Sequence, residues 1–131
     1  MRVRPSLFLL VGVLACTGCG NKEKSTAELL TDMKGKSEKD KLIAVRLLPQ
    51  KGDPAQTVPA LIEALKDPDT DIRISAAIGL GSLGDKAKDA IPALQTAARD
   101  RDARVREAVG KAIKRIDPSH PAKPSGKPGG G

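Results

Sequence analysis

The sequence predicts an all-α chain, a short α-solenoid of about three helical hairpins. Three observations predict it. The stretch VPALIEALKDPDTDIR, Val58 to Arg73, recurs as IPALQTAARDRDARVR, Ile91 to Arg106, 33 residues downstream without a gap. Within both copies apolar residues return at three- and four-residue steps, the stripe of an amphipathic helix. Short breaks carrying Asp, Pro or Gly interrupt the stripes, so each period holds two helices, the pattern of stacked repeats.

The chain opens with MRVRPSLFLLVGVLA, Met1 to Ala15: two arginines, then an uncharged run from Ser6 to Ala15, then Cys16. A basic start and a short apolar run ending on a small residue describe an export signal. The run is far shorter than the roughly 20 apolar residues of a membrane-spanning helix. Val13-Leu14-Ala15-Cys16 resembles the bacterial lipobox, in which a cysteine is diacylated and becomes the new N-terminus. Cys16 is the expected lipid attachment, with Cys19, preceded by Gly18, as the alternative. An ordinary cleaved signal is the blander reading. A redox or metal role for Cys16-Thr17-Gly18-Cys19 is disfavoured, because a redox CxxC belongs on a folded βαβ unit. No other Cys exists and His120 is the sole His, so no metal site is expected from soft ligands.

Domain organisation follows: a lipoprotein signal peptide at 1–15, a polar tether at 16–25, a repeat domain at 26–117, and a disordered Pro/Gly/Lys tail at 118–131. The expected location is the cell envelope, anchored by lipid and facing outside the cytoplasm, in the periplasm or at the cell surface.

The hairpins fall at about 26–52, 53–84 and 85–117. The first is the faintest copy. Glu28 to Val45 overlays Ala60 to Ala77 at an offset of 32, with Leu29 on Leu61, Met33 on Leu65 and Lys41 on Arg73. In the second, Val58, Leu61, Ile62 and Leu65 mark one helix, and Ile72, Ser75, Ala76, Gly79, Leu80 and Leu83 the next. In the third, Ile91, Leu94, Gln95 and Ala98 precede Val105, Ala108, Val109, Ala112, Ile113 and Ile116. Asp67-Pro68-Asp69 and Asp100-Arg101-Asp102 are short turns whose carboxylates can cap the following helix. Gly52-Asp53-Pro54 and Gly84-Asp85 supply a glycine to end one helix and an aspartate to cap the next, with Pro54 in a favoured first turn.

Ile74, Ala77 and Ile78 make the second helix of the middle unit apolar on two sides, so it is expected to be packed on both. Their counterparts Glu107, Gly110 and Lys111 give the last helix a polar side, as a terminal cap and a monomer require. Gly79 and Gly81 each cost roughly 1 kcal/mol against Ala in a helix. Close helix packing there would offset it.

Pro59, Asp67, Ile72 and Arg73, then Pro92, Asp100, Val105 and Arg106, resemble the signature positions of HEAT repeats, particularly the short bacterial class related to phycobilin-lyase-type HEAT proteins. The resemblance implies that Pro59 and Pro92 bend the first helix of their units. It also implies that Asp67, Arg73, Asp100 and Arg106 form a ladder joining successive repeats. The first unit departs from the pattern: Ala27 stands for the proline, Gly35 for the aspartate and Asp40 for the aliphatic residue, so a frayed N-terminal cap is expected. Enzymes of this fold do not match. The repeated His-Glu pairs of iron-holding HEAT hydroxylases are missing, and about three repeats are too few to enclose a tetrapyrrole alone.

The net charge is +7, and Arg99, Arg101, Arg104, Arg106, Lys111, Lys114 and Arg115 crowd the last unit, diluted by Asp100, Asp102 and Glu107, with Lys123 and Lys127 in the tail. Glu107 and Lys111 at i, i+4 favour a solvated cap face plus ladder arginines over a dedicated basic site. Phe8, the sole aromatic, lies in the signal, so base-stacking platforms are missing and no nucleic acid partner is expected. No nucleophile–base pair is evident, so no catalysis and no cofactor are expected. The expected role is a noncatalytic, membrane-anchored module binding another envelope protein. The alternative is a structural lipoprotein held electrostatically to anionic envelope polymer or lipid; a further one is an accessory subunit related to bilin-lyase-type HEAT proteins.

Overall fold

The computed structural model describes residues 24–120 except 36, so the signal segment, Cys16, Cys19 and the tail from 121 lie outside the described residues. Ser25 caps α1 (Thr26–Lys34). Its hydroxyl accepts from the Glu28 N–H at 3.3 Å, while the Glu28 carboxylate accepts from the Ser25 N–H at 2.8 Å. This reciprocal capping box satisfies two otherwise orphaned donors and starts the first hairpin without the proline of the later ones. The chain returns as α2 (Glu38–Lys51), closed by the Gly52 N–H donating to the Leu48 carbonyl at 2.8 Å. The first unit is therefore two packed helices, with Leu29, Ala44 and Leu48 fully buried between them and their neighbours.

Asp53 caps α3 (Pro54–Ala64), accepting from the Ala55 N–H at 3.2 Å, and Pro54 occupies the first turn, where no N–H is needed. Asp69 caps α4 (Thr70–Leu83), accepting from the N–H groups of Asp71 and Ile72 at 2.8 and 3.0 Å. Gly84 ends α4 at φ +55, a left-handed position that suits glycine.

The third unit departs from expectation at its start. Asp85 caps no α-helix; a 3-10 segment (Gly84–Ala90), interrupted at Ala87, precedes a short α5 (Ile91–Ala97). Pro92 lies in the first turn of α5, where its missing N–H costs no hydrogen bond. Pro92 thus marks a junction rather than bending a continuous helix, whereas Pro59 lies inside α3. Asp102 caps the last helix, α6 (Ala103–Ile116), accepting from the Arg104 N–H at 2.8 Å.

The helices form two layers. α2, α4 and α6 lie side by side in one, and α1, α3 and α5 with its 3-10 lead-in pack behind them. α4 is the centre of this short all-α solenoid. It is buried along most of its length between its neighbours, with Asp71 and Ile78 exposed on its open side, while α6 is apolar along one stripe. The core runs continuously from Val45 to Ile116, with Leu61, Ile72, Leu80, Leu94, Val105 and Val109 out of contact with solvent. Among the described residues no helix is long and apolar enough to cross a membrane.

Two glycines set how closely α4 meets its neighbours. A Cβ on Gly79 would lie 2.8 Å from Pro49 Cγ in α2 and 3.3 Å from Leu61 Cδ1, and one on Gly81 would lie 3.0 Å from Ala112 Cα in α6. The expected close packing is present on both sides. One expectation for α4 fails, however: Ala77 is buried and Ile74 half-buried, but Ile78 is 54 % exposed. Its side of the helix is the outer surface of the layer rather than a contact with the next repeat. Lys111, its counterpart, and Glu107 are exposed with it; Gly110, the counterpart of Ala77, has open space around its missing Cβ.

The glycines give a prediction of opposite signs. Gly79→Ala gains helix propensity but drives a methyl into a proline ring, so it should destabilise the fold. Gly110→Ala meets no obstacle and should stabilise it by about 0.5–1 kcal/mol. Urea denaturation of the two variants beside the parent checks both directions.

Candidate interaction surface

The aspartates and arginines picked out by the repeat converge at the turns between paired helices. Arg73 is the most deeply placed. Its Nε donates to Asp100 Oδ2 at 2.9 Å and its Nη2 to Asp100 Oδ1 at 3.2 Å, a two-pronged bond from the middle repeat to the last. The same guanidinium donates from Nη1 to the carbonyls of Asp67 and Pro68, both at 2.9 Å, and from Nη2 to Thr70 Oγ1 at 3.3 Å. Arg73 therefore braces its own turn and grips the next one. Asp100 in turn accepts from the Asp102 N–H at 2.8 Å, shaping the turn that α6 grows from.

In the preceding repeat Asp67 has the matching role, accepting from the Asp69 N–H at 2.9 Å and from Lys41 Nζ at 3.3 Å. The partner of Asp67 across the repeats is thus Lys41, at the position matching Arg73, and not Arg73 itself, which reaches only the Asp67 carbonyl. Lys41 was visible in the sequence overlay as the arginine's counterpart. At the far end Arg106 repeats the turn-bracing half of the pattern, donating to the carbonyls of Asp100 and Arg101 at 2.8 and 3.2 Å. It meets no carboxylate of a following repeat among the described residues.

Burial pushes the Asp100 carboxyl up, but the Asp102 N–H and the Arg73 guanidinium outweigh it and hold the group below its ordinary 3.8. The side chains of Arg73 and Asp100 are 6 % and 12 % exposed. By contrast Lys111 and Glu107 pair at 2.7 Å in the open, where that hydrogen bond lowers the Glu107 pKa. Such an exposed pair contributes little to stability.

The ladder holds the hairpins in register and so fixes the outer face of the α2–α4–α6 layer. On that face Ile74 and Ile78 form a ridge along α4 between two grooves, one of about 550 Å³ against α2 and one of about 340 Å³ against α6. Arg46 rims the first groove; Arg104, Lys111 and Arg115 rim the second. Arg46 was not singled out in the sequence, since an arginine on a faint repeat carries no pattern of its own. Among the described residues no group of three or more His, Cys, Asp or Glu side chains is placed to hold a metal ion.

Arg73→Ala should cost about 3 kcal/mol, because it leaves a nearly buried carboxylate and two turn carbonyls without their donor. Lys111→Ala should leave the melting temperature nearly unchanged. Arg73→Lys should not restore the parent value, since one ammonium cannot reproduce the fork. A pH dependence accompanies this. Asp100 has a depressed pKa in the fold, so its contribution is complete above the unfolded value and is lost as pH falls through the folded one. Urea titrations from about pH 5 to about pH 2 should show a shallower acid loss in Asp100→Asn than in the parent.

A search of curated proteins returned no match to the chain. The family described as HEAT repeats matches residues 26–114, more than half of the chain and inclusive of the first hairpin. With the stacked helical pairs and the cross-repeat ladder in place, the chain belongs to the HEAT-repeat family.

Proposed function

We propose that this chain is a noncatalytic protein-interaction module held at the bacterial cell envelope by lipid on Cys16, with its repeats outside the cytoplasm. HEAT repeats are commonly protein-interaction modules. The observation that carries the reading is the uncovered outer face of the α2–α4–α6 layer, where Ile78 stands exposed on an otherwise well-packed stack. The anchor rests on Val13-Leu14-Ala15-Cys16 and the apolar run before it.

A second reading has one observation in its favour. Arg99, Lys114 and Arg115 are exposed and hold no carboxylate at ion-pair distance among the described residues, which suits electrostatic association with anionic envelope polymer. Salt separates the two: association with polymer should fall away at moderate ionic strength, whereas a partner docked through apolar contact should persist.

Affinity purification of the full chain from detergent-solubilised envelope, repeated at raised salt, is expected to retain a discrete protein partner. Mass analysis of the same preparation should find an acylated N-terminus at residue 16, and Cys16→Ala should block processing or release the chain from the membrane. Acylation at Cys19 would move the site; an unmodified N-terminus elsewhere would remove the anchor from the proposal.

A further inference from the structure

We infer that the outer face of the α2–α4–α6 layer docks an acidic segment of a partner protein, one that seats an apolar side chain beside Ile78 and carries carboxylates to either side. The inference rests on the interaction reading above and specifies the surface and the chemistry of what it receives.

Ile43 and Ile78 are the large hydrophobic side chains left exposed among the described residues. A single exposed isoleucine such as Ile43 is ordinary. Ile78 differs because Ile74 lies one turn before it on the same helix and a groove opens on each side of the pair. The grooves exist because the residues beneath them are short. Ser75 and Gly79 floor the one against α2, and Gly81, Ala108 and Ala112 floor the one against α6. An apolar side chain entering either groove would meet Ile78 at its flank and cover it.

The charges decide what surrounds that side chain. Asp71 and Glu107, the acidic groups at the grooves, are already faced by cations: Arg104 lies 3.9 Å from Asp71, and Lys111 lies 2.7 Å from Glu107. Arg46 on the α2 rim and Arg115 on the α6 rim are exposed and have no carboxylate at ion-pair distance among the described residues. An apolar ridge between two uncompensated cations is complementary to an apolar group between two anions. The chain's own C-terminal segment is a poor occupant, since from 121 onward it carries Lys123 and Lys127 and no acid. A second copy is poor too, because at net charge +7 a symmetric contact would set basic rims against each other. A bilayer surface would press on the ridge and leave the grooves unfilled.

The test uses the purified full chain and a fluorescein-labelled synthetic helical peptide with leucines one turn apart on one face and glutamates elsewhere. Two control peptides replace the glutamates by lysine or the leucines by serine. Fluorescence anisotropy at physiological ionic strength should show the acidic leucine peptide binding at least about tenfold more tightly than either control. Binding should weaken by about tenfold or more in Ile74→Ser/Ile78→Ser and, separately, in Arg46→Glu/Arg115→Glu, with circular dichroism unchanged. Equal binding of the acidic and lysine peptides, or full binding by the isoleucine variant, would overturn the inference. So would binding to phosphatidylglycerol vesicles that the same substitutions abolish, which would make this a lipid-facing surface. The assay contains no envelope component, so its failure would remove this surface while a co-purified partner would still support the interaction reading.

Discussion

The structure depends on a guanidinium buried between two turns. Arg73 makes five hydrogen bonds, three within its own turn and two to Asp100 of the next repeat. A carbonyl or carboxylate withdrawn from water must find a donor, and one planar fork serves both needs at once. The turn therefore cannot change shape without disturbing the register of the following hairpin. Packing between apolar helix faces is tolerant of small slips; a bidentate contact is not. The ladder thus supplies geometric definition to a core built largely of Ala, Leu, Val and Ile.

Close approach of the helices is the second constraint, and it works with the first. The ladder fixes the turns ahead of α4 and α6, and Gly79 and Gly81 let the C-terminal half of α4 come close to α2 and α6. The same short side chains that permit approach leave the outer face of the layer recessed around Ile74 and Ile78. Stability and the surface are consequences of one choice of residues.

The helical stripes were legible because helix periodicity is a local property, carried by residues three and four apart. The turns were legible for a similar reason, Asp69 and Asp102 lying directly before the helices they cap. The box at Ser25 and Glu28 was readable in principle, but the region before it is polar and carries no repeat signal. What sequence spacing could not settle was which carboxylate meets which cation. Asp67 and Arg73 recur together within one repeat, yet Asp67 bonds across to Lys41 and Arg73 across to Asp100, a pairing set by how hairpins stack. Ile78 was misplaced for the same reason. An apolar residue on a helix with neighbours on both flanks has a third side, and only the stacked structure shows which residues occupy it.

The ladder also has polarity. Each rung runs from a cation in one hairpin to a carboxylate in the next, beginning at Lys41 and ending at Arg106, whose fork is occupied only by its own turn. A further unit docked on that end would need to bring an aspartate. The first hairpin of another copy would offer Gly35 at that position, which has no side chain to accept a bond. Burying Arg106 against it would desolvate the cation with no carboxylate of the added unit to offset the cost. Head-to-tail growth into a filament, the standing hazard of any repeat protein whose two ends resemble its middle, is opposed by one missing carboxylate.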